Sequence, residues 1–164
     1  MNKLKHKKSQ AWGIDLMIAF AIFTFAIIMF YFYALNEPRE AKENIDSLFY
    51  DGNIIADSIL SEGNPKDWNS ENVITIGILT DGKIDDEKLE EFYELSSDYD
   101  RTKILFNTKY DYYFFLGEPM ILDAGNIEGI GKAPEEYDNL VKITRFTVYD
   151  NEPVTAYLYI YEES

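Results

Sequence analysis

The sequence predicts an α+β protein: a long N-terminal helix, half in a membrane, whose outer half packs on a small, mainly antiparallel sheet with one or two short helices. Three observations predict it. Leu16 to Leu35, LMIAFAIFTFAIIMFYFYAL, is a twenty-residue run without a charge. An amphipathic helical pattern follows it with no flexible linker. The last third of the chain alternates apolar and polar residues in two long stretches joined by a turn.

The apolar run comes first because its length decides its solvent. At about 1.5 Å per residue a helix of this size spans about 30 Å, the thickness of a bilayer's hydrocarbon core. A core helix of a soluble domain would carry a polar face, and here only Thr24, Tyr31 and Tyr33 interrupt the run. Lys3, Lys5, Lys7 and Lys8 precede it, whereas Glu37, Glu40 and Glu43 follow it against Arg39 and Lys42. Lysines beside a span stay on the cytoplasmic side, so the expected topology is N-terminus inside and C-terminal part exported. Tyr31 and Tyr33 fall near the outer end, where amphipathic rings favour the headgroup layer. The run exceeds a secretory signal's apolar core and no small-x-small cleavage site follows it, so the segment is expected to stay in the mature protein.

Charge is distributed unevenly. The chain has 15 Lys+Arg and 30 Asp+Glu; setting aside Lys3, Lys5, Lys7, Lys8 and Asp15 leaves 11 against 29, a net of −18 beyond the span. So acidic an external part argues against nucleic acid and anionic lipid surfaces as partners. Without cysteine, neither disulfides nor thiolate metal sites are available, and packing must supply the stability. No Asn-x-Ser/Thr sequon occurs.

The expected organisation is a basic leader over 1–10, a transmembrane helix over 11–35, an amphipathic helix over 36–62 and a strand-rich extracytoplasmic domain over 63–164. Ala41, Ile45, Leu48, Phe49, Ile55 and Ile59 form the amphipathic stripe, with Pro38 either in the helix's first turn or at a kink. Glu62-Gly63-Asn64-Pro65 stops the helix. Val73 to Leu79 is expected to be a strand, turning at Asp81-Gly82. A short helix over Asp85 to Ser96 has Leu89, Phe92 and Tyr93 on its inner side and Asp85 as its cap, with Ile84 packed on Leu89. Arg101 to Phe106 adds a helical turn. Tyr110 to Leu116 is an aromatic strand ended by Gly117, and Gly117 to Asp138 reads as loop. Leu140–Tyr149 and Val154–Tyr161 form a hairpin through Asp150-Asn151-Glu152-Pro153. Its last strand turns Val154, Ala156, Leu158 and Ile160 to the core and Thr155, Tyr157, Tyr159 and Tyr161 the other way.

Enzyme chemistry finds little footing. The lone histidine, His6, lies in the leader, and neither a Gly-x-Ser-x-Gly nor a phosphate-cradling glycine loop is present. No catalytic residues, cofactor or metal site are expected. Asp81, Asp85, Asp86 and Glu87 are dense enough to suggest calcium, but their spacing misses the Asp-x-Asp-x-Asn-Gly loop and acids favour a helix N-terminus by themselves. The thirteen tyrosines read as sheet packing before ligand binding.

Asp15 stands one residue before the apolar run. A carboxylate costs about 2.5–3.5 kcal/mol at the centre of a span and less near its edge, so Asp15 either sits solvated in the headgroup layer near Lys7 or Lys8 or pairs with a cation from another subunit. Lys7-Lys8-Ser9-Gln10, a short stretch with an acid, then an unbroken apolar helix resembles the class III signal sequence of type IV pilins, archaeal ones in particular. The order of leader, span, linkerless amphipathic helix and strand-rich domain is similar to pilins and pseudopilins along the whole chain. The resemblance implies cleavage by a prepilin-type peptidase between Ser9 and Gln10. It also implies lateral packing through Leu16–Leu35, with Asp15 meeting the new N-terminal amine of a neighbour. Asp15 would be the sixth mature residue, where the family usually has glutamate at the fifth; a cut after Gln10 restores that spacing. The function so implied is a structural subunit of a type IV pilus-like filament or its assembly machinery, in contact with membrane lipid and homo- or hetero-oligomeric with pilin-like subunits. The alternative is a single-pass membrane protein that does not polymerise and whose acidic extracellular domain binds a partner.

Overall fold

A computed structural model describes the backbone of residues 5–123 and 125–163, and the side chains of 13–35, 44–123 and 125–163. The fold is α+β. Helix α1 (Lys5–Ile59) comes first, and the chain divides into two compact units, Met1–Glu43 and Asn44–Ser164. The helical backbone assignment continues through Pro38. The side chains of the leader and of Ala41 lie outside the described residues.

In the first unit, Gly13–Leu35 is a helix of 23 residues long and apolar enough to cross a membrane, and none of it is buried in protein. The Thr24 hydroxyl donates to the Phe20 carbonyl 2.8 Å away, which hides the run's first polar side chain against its own helix.

The second unit is built on four strands in the order β6-β3-β8-β7, all antiparallel: β3 (Asp111–Leu116), β6 (Ile130–Gly131), β7 (Asn139–Tyr149) and β8 (Glu152–Glu162). Asp150 and Asn151, both with positive φ, make a two-residue turn between β7 and β8, so Glu152 and Pro153 belong to the strand, not to the turn. Val154, Ala156, Leu158 and Ile160 are buried on one face as the alternation predicts. Tyr161 keeps to the opposite face with Tyr157 and Tyr159 but is buried there at the strand end, donating to the Lys132 carbonyl at 3.0 Å and meeting the Tyr137 ring.

The C-terminal part of α1 covers the core face. Leu48, Gly52, Ile55, Ala56 and Ile59 make the buried stripe at spacings of three and four. Gly52 marks the closest approach, since a Cβ there would stand 2.8 Å from Ile160 Cγ2 and 3.1 Å from Ile143 Cγ1. The stripe is shifted from the expected one: Ile45 and Phe49 are 46% and 56% exposed. Ile45 is in phase with Leu48, Gly52 and Ile59 but precedes the covered stretch, whereas Phe49, one residue past buried Leu48, falls at the side of the stripe. Arg145 ties the helix to β7, its Nη2 donating to Asn53 Oδ1 at 2.7 Å and Asp57 Oδ1 at 3.1 Å.

Val73 to Leu79 is not a regular strand; only β1 (Leu79–Thr80) pairs with β2 (Lys83–Ile84) around Asp81-Gly82. The preceding residues bond to the end of α1 and its exit loop instead. Asn64 N–H donates to Thr75 O at 2.9 Å, Ile78 N–H to Ile59 O at 2.8 Å and Leu79 N–H to Ser61 O at 2.8 Å. Apolar β-formers predicted a ladder, yet the loop beside them took their backbone groups. The expected loop over Gly117 to Asp138 likewise contains β4 (Met120–Leu122), β5 (Gly125–Ile127) and β6.

Helices α2 (Asp86–Leu95) and α3 (Tyr99–Phe106) close the core. Asp85 caps α2, its carboxylate accepting from the Glu87 and Lys88 amides. Burial alone would raise the Asp85 pKa, but the Thr80 hydroxyl and those amides overcome it and hold the carboxyl below its ordinary value. Phe92 is the centre of the packing, with ring centroids 6.0 Å from Phe106, 6.5 Å from Tyr112 and 6.3 Å from Phe114. Tyr112 OH donates to Thr102 Oγ1 at 2.6 Å, and Thr102 donates on to Tyr99 O at 2.7 Å, so both buried hydroxyls are satisfied.

Candidate functional site

Two regions stand out as surfaces for function: the uncovered apolar helix and an acidic groove on the second unit. The helix places the expected residues unevenly. Ser9 and Gln10 belong to α1, with side chains outside the described residues. Asp15 lies inside the membrane-length stretch, three positions from its start, and is exposed. Leu16 and Leu35 are exposed too, as are Phe20, Phe23, Phe25 and Phe30 between them. Leaving so long an apolar surface in water is costly, because its burial is worth about 25 cal/mol per Å². What it can do is cross a bilayer and pack against other helices there.

The groove has a volume of about 860 Å³ and lies beside α2, between Lys66–Asn69 and the β4 strand. Eight carboxylates line it, including Asp85, Glu90, Glu91 and Asp123, against Lys66 and Lys88. Three of these carboxylates serve the fold: Asp85 caps α2, Glu91 Oε2 accepts from Ser70 N–H at 2.7 Å, and Glu90 Oε2 from Asp123 N–H at 3.0 Å. Lys88 is buried, donating to Glu62 O at 2.9 Å and Leu79 O at 2.8 Å, which pins α2 to the exit of α1. A buried ammonium needs such acceptors; position 88 is in phase with Phe92 and Leu95, but its charge gave no sign that it would turn inward. Among the described residues no group of three or more His, Cys, Asp or Glu is placed to hold a metal ion. The calcium candidates are dispersed by the turn: Asp81 sits at its tip with φ 51°, while Asp85 is spent on the α2 cap.

A second cluster joins α3 to the sheet. Asp111 accepts from Lys103 Nζ at 2.9 Å and from Tyr99 OH at 3.2 Å. Burial drives the Tyr99 phenol far above its ordinary pKa, and the Asp111 charge adds to the effect. Burial also pushes Tyr161 up to about 12, with Asp111, Glu163 and Glu135 contributing. These phenols are locked neutral donors, and their partners are backbone and side chains of the fold itself.

The tyrosines divide between the two faces of the sheet. Tyr112 enters the core, whereas Tyr113, Phe115, Tyr157 and Tyr159 form a ring cluster on the face turned away from α1, with Phe115 stacked on Tyr157 at 5.0 Å. Lys142 Nζ lies 3.9 Å from the Tyr157 ring centroid. No protein-family model, curated protein or solved structure matches this chain.

Proposed function

We propose that this chain is a structural subunit of a type IV pilus-like filament or of its assembly machinery. The observation that carries the proposal is a helix of 23 membrane-length residues, wholly uncovered by its own protein, behind a basic leader and ahead of a packed acidic domain. An apolar helix left exposed by its own protein finds cover in lipid and then in the helices of neighbouring copies. In this proposal the leader is cytoplasmic, the second unit is exported, and a prepilin-type peptidase cuts between Ser9 and Gln10. The freed amine of one subunit meets Asp15 of another, which neutralises a carboxylate that hydrocarbon would otherwise penalise. The work is mechanical, not catalytic.

Mass spectrometry of the protein isolated from its native membrane tests the processing step. The expected N-terminus is Gln10, and a chain that still starts at Met1 or Asn2 counts against it. Shearing the cells tests assembly, with the protein expected in a high-molecular-weight extracellular fraction. A protein that stays monomeric in the membrane would instead fit the single-pass, partner-binding alternative.

A further inference from the structure

We propose that the sheet face turned away from α1 is a contact between two copies of this chain. Register sets out the open part of this face in rows: Tyr113, Tyr159 and Lys142; Phe115, Tyr157 and Thr144; Thr155 and Phe146. None of these positions carries a carboxylate, although the chain beyond the span has a net charge of −18; the nearest acids are Asp111 in the next row, paired with Lys103, and Glu128 beside Tyr113, both at one end of the face. Two equally acidic domains repel wherever their acids oppose, so this face is where they approach at least electrostatic cost. Its pairing of one large side chain with two small ones permits self-complementary packing. Phe146 is 83% exposed and projects beside the low side chains of Thr144 and Thr155. A two-fold axis passing there lets Phe146 of each copy fill the partner's threonine hollow, bringing the two 146 side chains close together. Neighbouring rings of the cluster are already stacked on one another or lie under Lys142. That leaves ring edges outward for sheet-on-sheet packing and few open ring faces for a stacking ligand.

Area sets the strength of the contact. Three strands about 4.8 Å apart and three rows about 7 Å apart offer on the order of 300 Å². A stable standard interface buries about 800 Å² per partner. The contact therefore does not hold in dilute solution and forms when a shared bilayer supplies the local concentration, the one point at which it rests on the function proposed above.

The absence of native cysteine makes the test direct. Full-length chains carrying Phe146→Cys, Ile104→Cys on exposed α3, or Ala21→Cys in the span are reconstituted into liposomes and mildly oxidised. Circular dichroism first checks that each variant is folded. The expected result is several-fold more disulfide-linked dimer for Phe146→Cys than for Ile104→Cys, an excess that is lost when the chains are diluted into detergent before oxidation. Equal yields from these two positions overturn the proposal. Linkage at Ala21→Cys with none at Phe146→Cys overturns it while leaving lateral helix packing intact. Linkage at Phe146→Cys in a protein that never appears in sheared filaments supports this contact and counts against the filament.

Discussion

Gly13–Leu35 and Leu48–Ile59 are stretches of the same helix, and they follow opposite rules. In the first, leucine, isoleucine, methionine and phenylalanine occupy every side and none is buried in protein. In the second, apolar residues keep to a stripe, Gly52 admits Ile143 and Ile160 at contact distance, and Asn53 and Asp57 reach Arg145 on the sheet. The contrast teaches that helix formation says little about a segment's role. A uniform apolar surface calls for an apolar solvent, and a striped one calls for a sheet.

The largest break in this comparison is expected at the centre of the second unit. Phe92→Ala should cost about 3–5 kcal/mol of stability, because three aromatic rings lose their common neighbour. Phe25→Ala in the span should leave the same unfolding transition unmoved. Denaturant titration of the full chain in detergent, followed by near-ultraviolet circular dichroism, measures both. The converse substitution is Phe25→Lys, expected to oppose membrane insertion by about 2.5–3.5 kcal/mol without unfolding the second unit. Alkaline extraction of membranes from expressing cells reads the loss of insertion.

A smaller effect sharpens the boundary between the two rules. Gly52→Leu should cost about 1–3 kcal/mol, since its side chain enters space held by Ile160 and Ile143, and its midpoint shift is read by the same titration. The most graded effect is in alkali. Tyr99, Tyr112, Tyr149 and Tyr161 all have raised pKa values, Tyr149 and Tyr161 pushed up to about 12, chiefly by burial. Above pH 10 the unfolded phenols ionise while the folded ones stay protonated, so the folded state holds more protons and loses stability as pH rises. The slope is about 1.4 kcal/mol per pH unit for each phenol so held. Tyrosinate absorbance should rise together with the loss of circular dichroism; ionisation that precedes unfolding would show these phenols to be accessible.

Much of this architecture was legible because it depends on near neighbours. The period-two pattern of Val154–Ile160 reports a one-sided strand, Asp85 reports a helix start through its own side chain, and Asp81-Gly82 reports a tight turn. Where the pattern misled, a distant segment intervened. Val73–Leu79 has strand-forming residues, yet Asn64, Ile59 and Ser61 took its backbone groups. Ile45 continues a helical stripe beyond the part that the sheet covers, and Phe49 falls at the side of that stripe.

What the sequence determined by itself is the solvent of each part. Twenty uncharged residues in a row make a helix long and apolar enough to cross a membrane, and 29 acids beyond them favour water, since both tendencies are sums over local composition. Only the tertiary structure decided which polar groups could be buried with a partner. Lys88 lies buried because two carbonyls from separate segments converge on its ammonium, and Tyr161 because the Lys132 carbonyl accepts from its hydroxyl. Burying a polar group without a partner costs several kcal/mol, and a partner supplied from elsewhere in the chain exists only once the chain has folded.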